Sequence, residues 1–346
     1  MAGAVAAPKA PVPDWHLATP GGSHPQLAEI QRARLLSAAI RAVDEVGWAN
    51  TSVGHITARA RVSRRTFYEL FADREACLYA ALEGVLLLIE GELAEAGLDG
   101  LSWRERIRTG LWTILNFFDR EPLLAQACVV QALQGGPEVL VRREAIFRRL
   151  ASIVDEGRLE SVRASECGSL TAEGLVGAGF SILYARLSHG EPAPLGGLLG
   201  ELTGMIVLPY LGATAAKREQ ARPTPAPTNT LAGRHPGMQR LAADPLEGLQ
   251  LRLTYRTTRV LECVAAHPGW SNRRLGEDAG MADQGQISKL LGRLERVGLI
   301  ANTSQGHLKG DANAWQLTDL GRRVTERLNL DTQLQHSTNT TKETQR

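Results

Sequence analysis

The sequence predicts a mainly α-helical protein with two folded blocks, residues 26–216 and 246–330. Two observations predict this class. The first block repeats apolar residues at helical spacing without any alternating strand pattern, which is typical of a helical bundle. The second block combines helical patterns with two short strand-like runs, which indicate three helices and a small β-ribbon.

Proline-rich stretches mark the borders of the two blocks. Five of the 16 prolines lie between residues 8 and 25, and five lie between residues 223 and 245. These stretches are also rich in small or polar residues and lack apolar periodicity. We therefore expect a disordered arm over 1–25, a linker over 217–245 and a disordered polar tail over 331–346.

The composition is that of a folded protein. Hydrophobic residues are 43% and charged residues 22% of the 346 positions, which excludes wholly disordered, collagen-like and disulfide-scaffold classes. The net charge of +2 by itself gives no hint of a nucleic-acid partner. The four cysteines form no zinc-binding spacing, and the N-terminus lacks the features of a signal peptide. These features predict a cytoplasmic protein without a metal or cofactor.

The first block reads as a series of helices. The first helix has an apolar stripe and ends at Gly47. Ser52 is placed to cap a helix that runs to about residue 60, and Ser63 to cap a second helix over 64–71. Longer helices are then predicted over 75–96, 102–119, 122–134, 137–158, 172–189 and 195–212.

The two short helices have the layout of a helix-turn-helix, whose second helix enters the DNA major groove. Arg64 and Arg65 fall in the first turn of that helix, where a guanidinium can reach guanine or phosphate. Thr66 and Tyr68 add hydroxyls. From Ser52 to Arg74 there are five Arg against one Glu and one Asp. The alternative is a solvated face on an α-helical hairpin.

The run TSVGHITARARVSRRTFYELFADREA resembles the DNA-binding domain of TetR-family transcriptional regulators. The positions that match the family pattern are Val62, Ser63, Thr66, Phe67, Tyr68, Phe71 and Glu75. The resemblance implies a DNA-binding domain over 26–75. It also implies roles for individual residues in DNA binding. The residues implied to contact phosphate are Thr51, Ser52, Tyr68 and Arg74, and those implied to contact bases are Arg64, Arg65 and Thr66. Arg61 stands where the family has glycine and must accept a positive φ.

The same resemblance implies a ligand-binding and dimerisation domain over 76–216. Helices 172–189 and 195–212 would pair with those of a second subunit and place two reading helices on a palindromic site. The candidate interface is a stripe of small and apolar residues, Gly196, Leu199, Gly200, Leu202 and Gly204. A membrane span is the alternative for residues 195–216, but Glu201 and Pro209 interrupt that stretch.

An effector pocket is implied by the resemblance but has no sharp signature of its own. The candidate lining residues are Trp112, Phe117, Phe118, Gln126, Gln131, Phe147 and Phe180. The aromatic side chains favour a small apolar or aromatic effector, and the alternative for each residue is an ordinary core position.

The second block predicts a winged helix. Helical patterns cover 253–266, 271–279 and 284–297, the strand-like runs are 299–303 and 314–318, and a last helix begins near Asp319. The block resembles the winged-helix domains of MarR-like regulators. The candidate DNA contacts are Ser271, Gln286, Ser288, Lys289 and Arg293, with His307 and Lys309 at the wing tip. Because 12 Lys and Arg stand against nine Asp and Glu in 246–330, a purely protein-binding module remains the alternative.

An enzyme is the competing class of function. The sequence contains no Gly-rich phosphate loop, no Gly-x-Ser-x-Gly elbow and no His-Glu-x-x-His motif, so we predict no catalytic residue. The prediction is a homodimeric regulator that binds double-stranded DNA, without a membrane segment. Repression relieved by a ligand is the usual outcome in the family that it resembles, and activation is the alternative.

Overall fold

The computed structural model describes residues 25–161, 167–189, 194–226, 252, 254–281, 283–304 and 313–326. The chain divides into two units, one of which is Ile30–Leu253, while the other contains the residues from Thr254 onward. Most of the predicted arm, linker and tail lies outside the described residues. Both units are mainly helical within the described ranges, as the apolar spacing predicts.

The described part of the N-terminal unit contains nine α-helices. They are α1 (Pro25–Val46), α2 (Val53–Ala60), α3 (Arg64–Leu70), α4 (Arg74–Glu95), α5 (Trp103–Arg120), α6 (Pro122–Val129), α7 (Pro137–Asp155), α8 (Thr171–His189) and α9 (Leu199–Ala221). Short 3₁₀ turns at Gln131–Gln134, Glu156–Leu159 and Leu195–Leu198 join some of them. The predicted helices are confirmed, with ends displaced by a few residues.

Two apolar cores hold these helices together. The first joins α1 to α6 around fully buried Leu35, Phe67 and Leu115, so the two short helices are packed directly onto the bundle. The second lies at the other end of α5, where the Trp103 and Tyr210 rings meet edge to face with centroids 5.2 Å apart. Burial of large apolar side chains is the main favourable term in folding, so these two clusters fix the bundle.

The last helix of the N-terminal unit is longer than predicted and is kinked. Gly212 has φ 80° and ψ 175°, a left-handed conformation that glycine adopts without a steric cost. The chain turns back there, and Gln220 donates a hydrogen bond from Nε2 to the Glu201 Oε2 at 3.3 Å. Because helical structure extends to Ala221, the predicted linker start at residue 217 is corrected to a later position.

The stretch Leu195–Ala221 is long and apolar enough to cross a membrane by length and composition alone, in the part of the chain that the structure describes. Half of its most apolar window is buried within the protein. The reversal at Gly212 also breaks the straight path that a span requires. These features match the sequence-based preference for a packed bundle helix.

The described part of the C-terminal unit begins with three helices, which are followed by a small sheet and a fourth helix. The helices are α10 (Tyr255–Ala266), α11 (Asn272–Asp278) and α12 (Gln284–Arg296), and the strands are β1 (Ile300–Asn302) and β2 (Trp315–Leu317). The strands are antiparallel, with Ala301 opposite Gln316. A further helix, α13, covers 319–326. Ile287, Leu291 and Leu294 form an apolar stripe along α12 and are fully buried.

Candidate nucleic-acid interface

Two serine hydroxyls fix where the short helices α2 and α3 begin. The Ser52 Oγ accepts a hydrogen bond from the His55 N–H at 3.1 Å, and the His55 Nδ1 accepts one from the Ser52 N–H at 3.3 Å. The Ser63 Oγ accepts one from the Thr66 N–H at 3.0 Å. Each bond satisfies a backbone donor that the first turn of a helix leaves unpaired. Both predicted caps are confirmed.

The turn between α2 and α3 is built on Arg61. This residue has φ 52° and ψ 38°. Among the described residues, it alone combines a side chain with a positive φ. Its backbone N–H bonds to the Ala58 carbonyl, and the Val62 N–H bonds to the Thr57 carbonyl. The left-handed conformation therefore ends α2 and turns the chain into α3, as the sequence predicts.

Replacing Arg61 with glycine is expected to raise the free energy of unfolding by up to about 1 kcal/mol. A side chain in the left-handed region is strained by about 1–2 kcal/mol, and glycine removes that strain while it adds unfolded-state entropy. Urea unfolding of the intact chain measures the change. Arg61→Ala is the matched control, because it removes the guanidinium and keeps the strain. A lower stability for Arg61→Gly than for Arg61→Ala would contradict the assignment.

The exposed face of α3 carries four polar side chains that can contact DNA. Arg64, Arg65 and Tyr68 are exposed, and Tyr68 is 57% accessible despite its aromatic ring. Arg65 pairs through Nε with the Glu69 Oε1 at 3.0 Å, a surface ion pair that water or phosphate can replace. Thr66 is half-buried, and its Oγ1 lies 2.8 Å from the Ser63 Oγ.

The structure corrects two of the phosphate contacts expected from the resemblance. Thr51 is 1% exposed, and its hydroxyl donates to the Gly47 carbonyl at 2.8 Å. Arg74 donates from Nη1 to the carbonyls of Ala49 at 3.0 Å and Thr51 at 2.8 Å, and it also pairs with Glu75. Both side chains therefore hold the loop before α2 in place, and Ser52 is the most exposed of these three candidate contacts.

A hydrogen-bonded contact joins this region to the bundle. Buried Trp48 donates its backbone N–H to the Gln131 Oε1 at 3.3 Å and its indole Nε1–H to the Glu75 Oε2 at 3.3 Å. Gln131 was expected to line an effector pocket, and it instead contacts the turn after α1. Sequence reasoning missed Trp48, because its partners lie 83 and 27 residues away in the chain.

The small-residue stripe packs within its own chain, which corrects the predicted dimer interface. Leu199 and Leu202 are 0% and 3% exposed, so neither side chain can reach a second subunit. A Cβ at Gly200 would lie 3.0 Å from the Gln220 carbonyl oxygen, and one at Gly204 would lie 3.2 Å from the Ala216 carbonyl oxygen. Gly196 is likewise covered, by Trp112 and Asp119. The glycines permit the reversed end of α9 to approach its first half.

The structure places the candidate effector residues in separate surroundings. Phe117 and Phe118 belong to the first core, and Trp112 packs against it. Phe147 and Phe180 stack at 4.3 Å between α7 and α8, and the Arg143 guanidinium lies 4.3 Å from the Phe147 ring. Two cavities within the described ranges, one beside Val264 and one beside Trp48, are lined by none of the seven candidates. Trp112, Phe117 and Phe118 therefore stand as core or packing residues.

The exposed face of α12 carries the polar residues predicted for the second unit. Gln286, Ser288, Lys289 and Arg293 are all exposed. Asp283 caps this helix, and the Gln286 and Gly285 N–H groups that donate to its carboxylate lower the pKa of that carboxyl. Ser271 is only half-buried at the start of α11. The predicted wing contacts His307 and Lys309 lie outside the described residues.

A polar network around Asn272 ties α12 to the small sheet. Its Nδ2 donates to the Ser288 Oγ at 3.0 Å, and its Oδ1 accepts from the Trp315 Nε1 at 2.6 Å and the Asn313 Nδ2 at 3.2 Å. Sequence reasoning missed Asn272, because its partners are 16 to 43 residues away in the chain. The network fixes Ser288 relative to β2.

Comparisons with known proteins find similarity to transcription regulators. The relative "HTH-type transcriptional regulator HbdR" from Aromatoleum sp. (strain CIB) is 30% identical over 98 residues, which are 28% of this chain and 42% of that protein. The match thus spans less than half of the relative. A TetR-like transcriptional regulator from Rhodococcus sp. RHA1 has 24% identity and a TM-score of 0.45, covering 51% of this chain and 93% of that one. The fatty acid degradation regulator FadR from Bacillus halodurans has 15% identity and a TM-score of 0.46, covering 55% and 100%.

The match to a protein family is confined to the region of the short helices. The family described as "Bacterial regulatory proteins, tetR family" matches residues 35–81. This range contains the capped helices, the Arg61 turn and the exposed face of α3. Regulators of this family are non-enzymatic DNA-binding proteins. Over residues 35–81 this chain is therefore similar to the bacterial regulatory proteins of the tetR family.

Proposed function

We propose that this protein is a transcription regulator that binds a specific DNA sequence through α3. The observation that carries the proposal is the placement of Arg64, Arg65 and Tyr68 together on the exposed face of the second short helix. Guanidinium groups at the start of such a helix can form paired hydrogen bonds with guanine, and hydroxyls can bind phosphate. The Ser52 hydroxyl, at the start of α2, is a further candidate phosphate contact.

We also propose that the protein acts as a homodimer on a palindromic operator. The exposed side of α8 and of the first part of α9 is the surface that we assign to the second subunit. Tyr184 is 41% and Leu208 48% exposed there, and the positions of Gly174 and Gly177 are open to close approach. A twofold axis through this surface would present two copies of α3 to two half-sites.

Repression relieved by a small apolar or aromatic effector is the regulation that we propose, with activation as the alternative. The Phe147–Phe180 pair between α7 and α8 supports a site for such a molecule, because aromatic rings make favourable stacking contacts with other rings. A thermal-shift screen tests this proposal. A compound that binds should raise the unfolding temperature and lower operator affinity, and a lack of any stabilising compound would count against it.

Selection of bound fragments from sheared genomic DNA by the intact chain tests the DNA proposal. We expect a recurrent palindromic site with guanine in each half. The double variant Arg64→Ala/Arg65→Ala should recover no such site under the same conditions. Recovery of random fragments by the native chain would contradict sequence-specific binding and leave only the charge-dependent component.

For the second unit we propose a winged helix whose α12 contacts DNA beside the main site. Three features support the fold assignment, namely the three helices, the antiparallel β1–β2 pair and the bonds of residues 269 and 270 to Trp315. Lys289 and Arg293 are exposed and form no ion pair with any residue that the structure describes. A protein-binding module is the alternative.

Charge reversal of the α12 face separates these two roles. We expect the double variant Lys289→Glu/Arg293→Glu to bind the operator more weakly. The slope of log affinity against log salt concentration should also be smaller in magnitude by about 2. The control Arg148→Glu/Arg149→Glu on α7 changes the net charge by the same amount. If the α12 variant and this control behave alike, the second unit does not contact DNA.

A further inference from the structure

Gly54 is the second residue of α2, and its backbone does not need glycine. It is helical and is absent from the positive-φ glycines of the described residues. Alanine forms helices more readily than glycine, so glycine at this place weakens a helix of eight residues. A reason for glycine here must come from its surroundings.

The surroundings of Gly54 include a DNA-reading candidate. A Cβ built on Gly54 would lie 3.3 Å from the Arg64 Nη2 and 3.5 Å from the Ser52 Oγ. The first distance is tighter than an ordinary van der Waals contact, so an added methyl group would shift the guanidinium by a few tenths of an ångström. The Arg64 guanidinium therefore lies against the first turn of α2, in space that the missing side chain leaves free.

Other contacts that could hold Arg64 are few. Its side chain forms no ion pair or hydrogen bond with another residue within the described ranges, whereas its neighbour Arg65 pairs with Glu69. The close approach to α2 at Gly54 therefore bears directly on where the guanidinium lies. This contact connects α2, which is not the reading helix, to the position of a reading side chain.

We propose that Gly54 is a positioning residue for DNA recognition, whose lack of a side chain lets the Arg64 guanidinium lie beside Ser52 at the start of α2. This inference rests on the proposed DNA binding through α3. It assigns to α2 a part in sequence preference without a base contact of its own. The exposed Ser52 hydroxyl and the guanidinium would then face the same stretch of DNA.

Gly54→Ala tests the proposal with two readouts that move in opposite directions. We expect an unfolding temperature equal to or above that of the native chain, because alanine favours the helix. We expect operator affinity to fall by about three- to tenfold, a part of the loss that follows from removing a good base contact. Gly91→Ala in α4 is the matched control, because nothing lies within 4 Å of its Cβ position. That control should gain stability and keep its affinity.

A double-mutant cycle shows whether the effect passes through Arg64. In an Arg64→Ala background, adding Gly54→Ala should change operator affinity by less than about twofold, because the displaced group is gone. Unchanged operator affinity in Gly54→Ala, or an equal loss of affinity with and without Arg64, would overturn the proposed role of Gly54. Either result would leave the proposed DNA binding through α3 unaffected. A native chain that selects no DNA would overturn the proposed function and this inference together.

Discussion

Replacing Glu219 with alanine is expected to lower the free energy of unfolding of the N-terminal unit by about 3–5 kcal/mol, as for other broken buried ion pairs. Glu219 is 3% exposed, and its Oε2 lies 3.3 Å from the Nη1 of Arg108, which is 4% exposed. Arg104 lies 3.4 Å from the other carboxylate oxygen. Removal of the carboxylate leaves the Arg108 cation buried without a counter-charge, which is the origin of the large effect.

The same ion pair anchors the end of α9. Arg108 also donates from Nη2 to the carbonyls of Arg222 at 3.1 Å and Pro223 at 2.9 Å. These bonds hold the reversed segment against α5. The loss should therefore include release of residues 213–223, which hydrogen exchange would detect as faster exchange there than in α4.

Urea unfolding of the intact chain, followed by tryptophan fluorescence, measures the effect. Glu201→Ala is the matched control, because Glu201 is an exposed acid that contacts the same segment through Gln220. It should change stability by less than about 0.5 kcal/mol. The pair replacement Arg108→Met/Glu219→Leu should recover most of the lost stability. A loss below about 1 kcal/mol in Glu219→Ala would contradict the assigned role of the buried pair.

Replacing Arg64 or Arg65 with alanine is expected to weaken operator binding by about 1–3 kcal/mol each, or roughly 5- to 150-fold in Kd. Both side chains are exposed, so stability should change by less than about 0.5 kcal/mol. Fluorescence anisotropy with a labelled operator at fixed salt measures the affinity. Arg148→Ala is a matched control, because Arg148 pairs with Glu144 on α7 much as Arg65 pairs with Glu69. Equal affinities of the variants and the native chain would contradict the assigned reading face.

The region of the short helices was predictable from sequence because the interactions that shape it are local. Ser52 and Ser63 each cap a helix by accepting a hydrogen bond from the backbone N–H three residues further along the chain, and Arg61 lies in the turn between the two helices. The apolar spacing likewise predicts α12 and its buried stripe. Helix caps and apolar periodicity depend on residues that are close together in the chain, so the sequence alone reveals them, and both are present in the folded structure.

The features that sequence reasoning missed depend on long-range partners. The spacing of Gly200 and Gly204 indicates close packing. It does not show that the segment packed against these glycines is the end of the same helix. Arg74 has the chemistry of a phosphate contact, and its bonds to Ala49 and Thr51 show only in three dimensions. The Arg108–Glu219 pair spans 111 residues. Pro209 and Gly212 were the available signals for the reversal of α9.

The base preferences of two proteins test most directly whether α3 reads bases in the major groove. DNA is selected from a random-sequence pool by the native chain and, in parallel, by Arg64→Ala/Arg65→Ala at lower salt, where binding persists. We expect the native chain to prefer guanine at fixed positions in each half-site, and we expect the variant to lose those preferences alone. Identical preferences in the two pools would contradict base reading by α3.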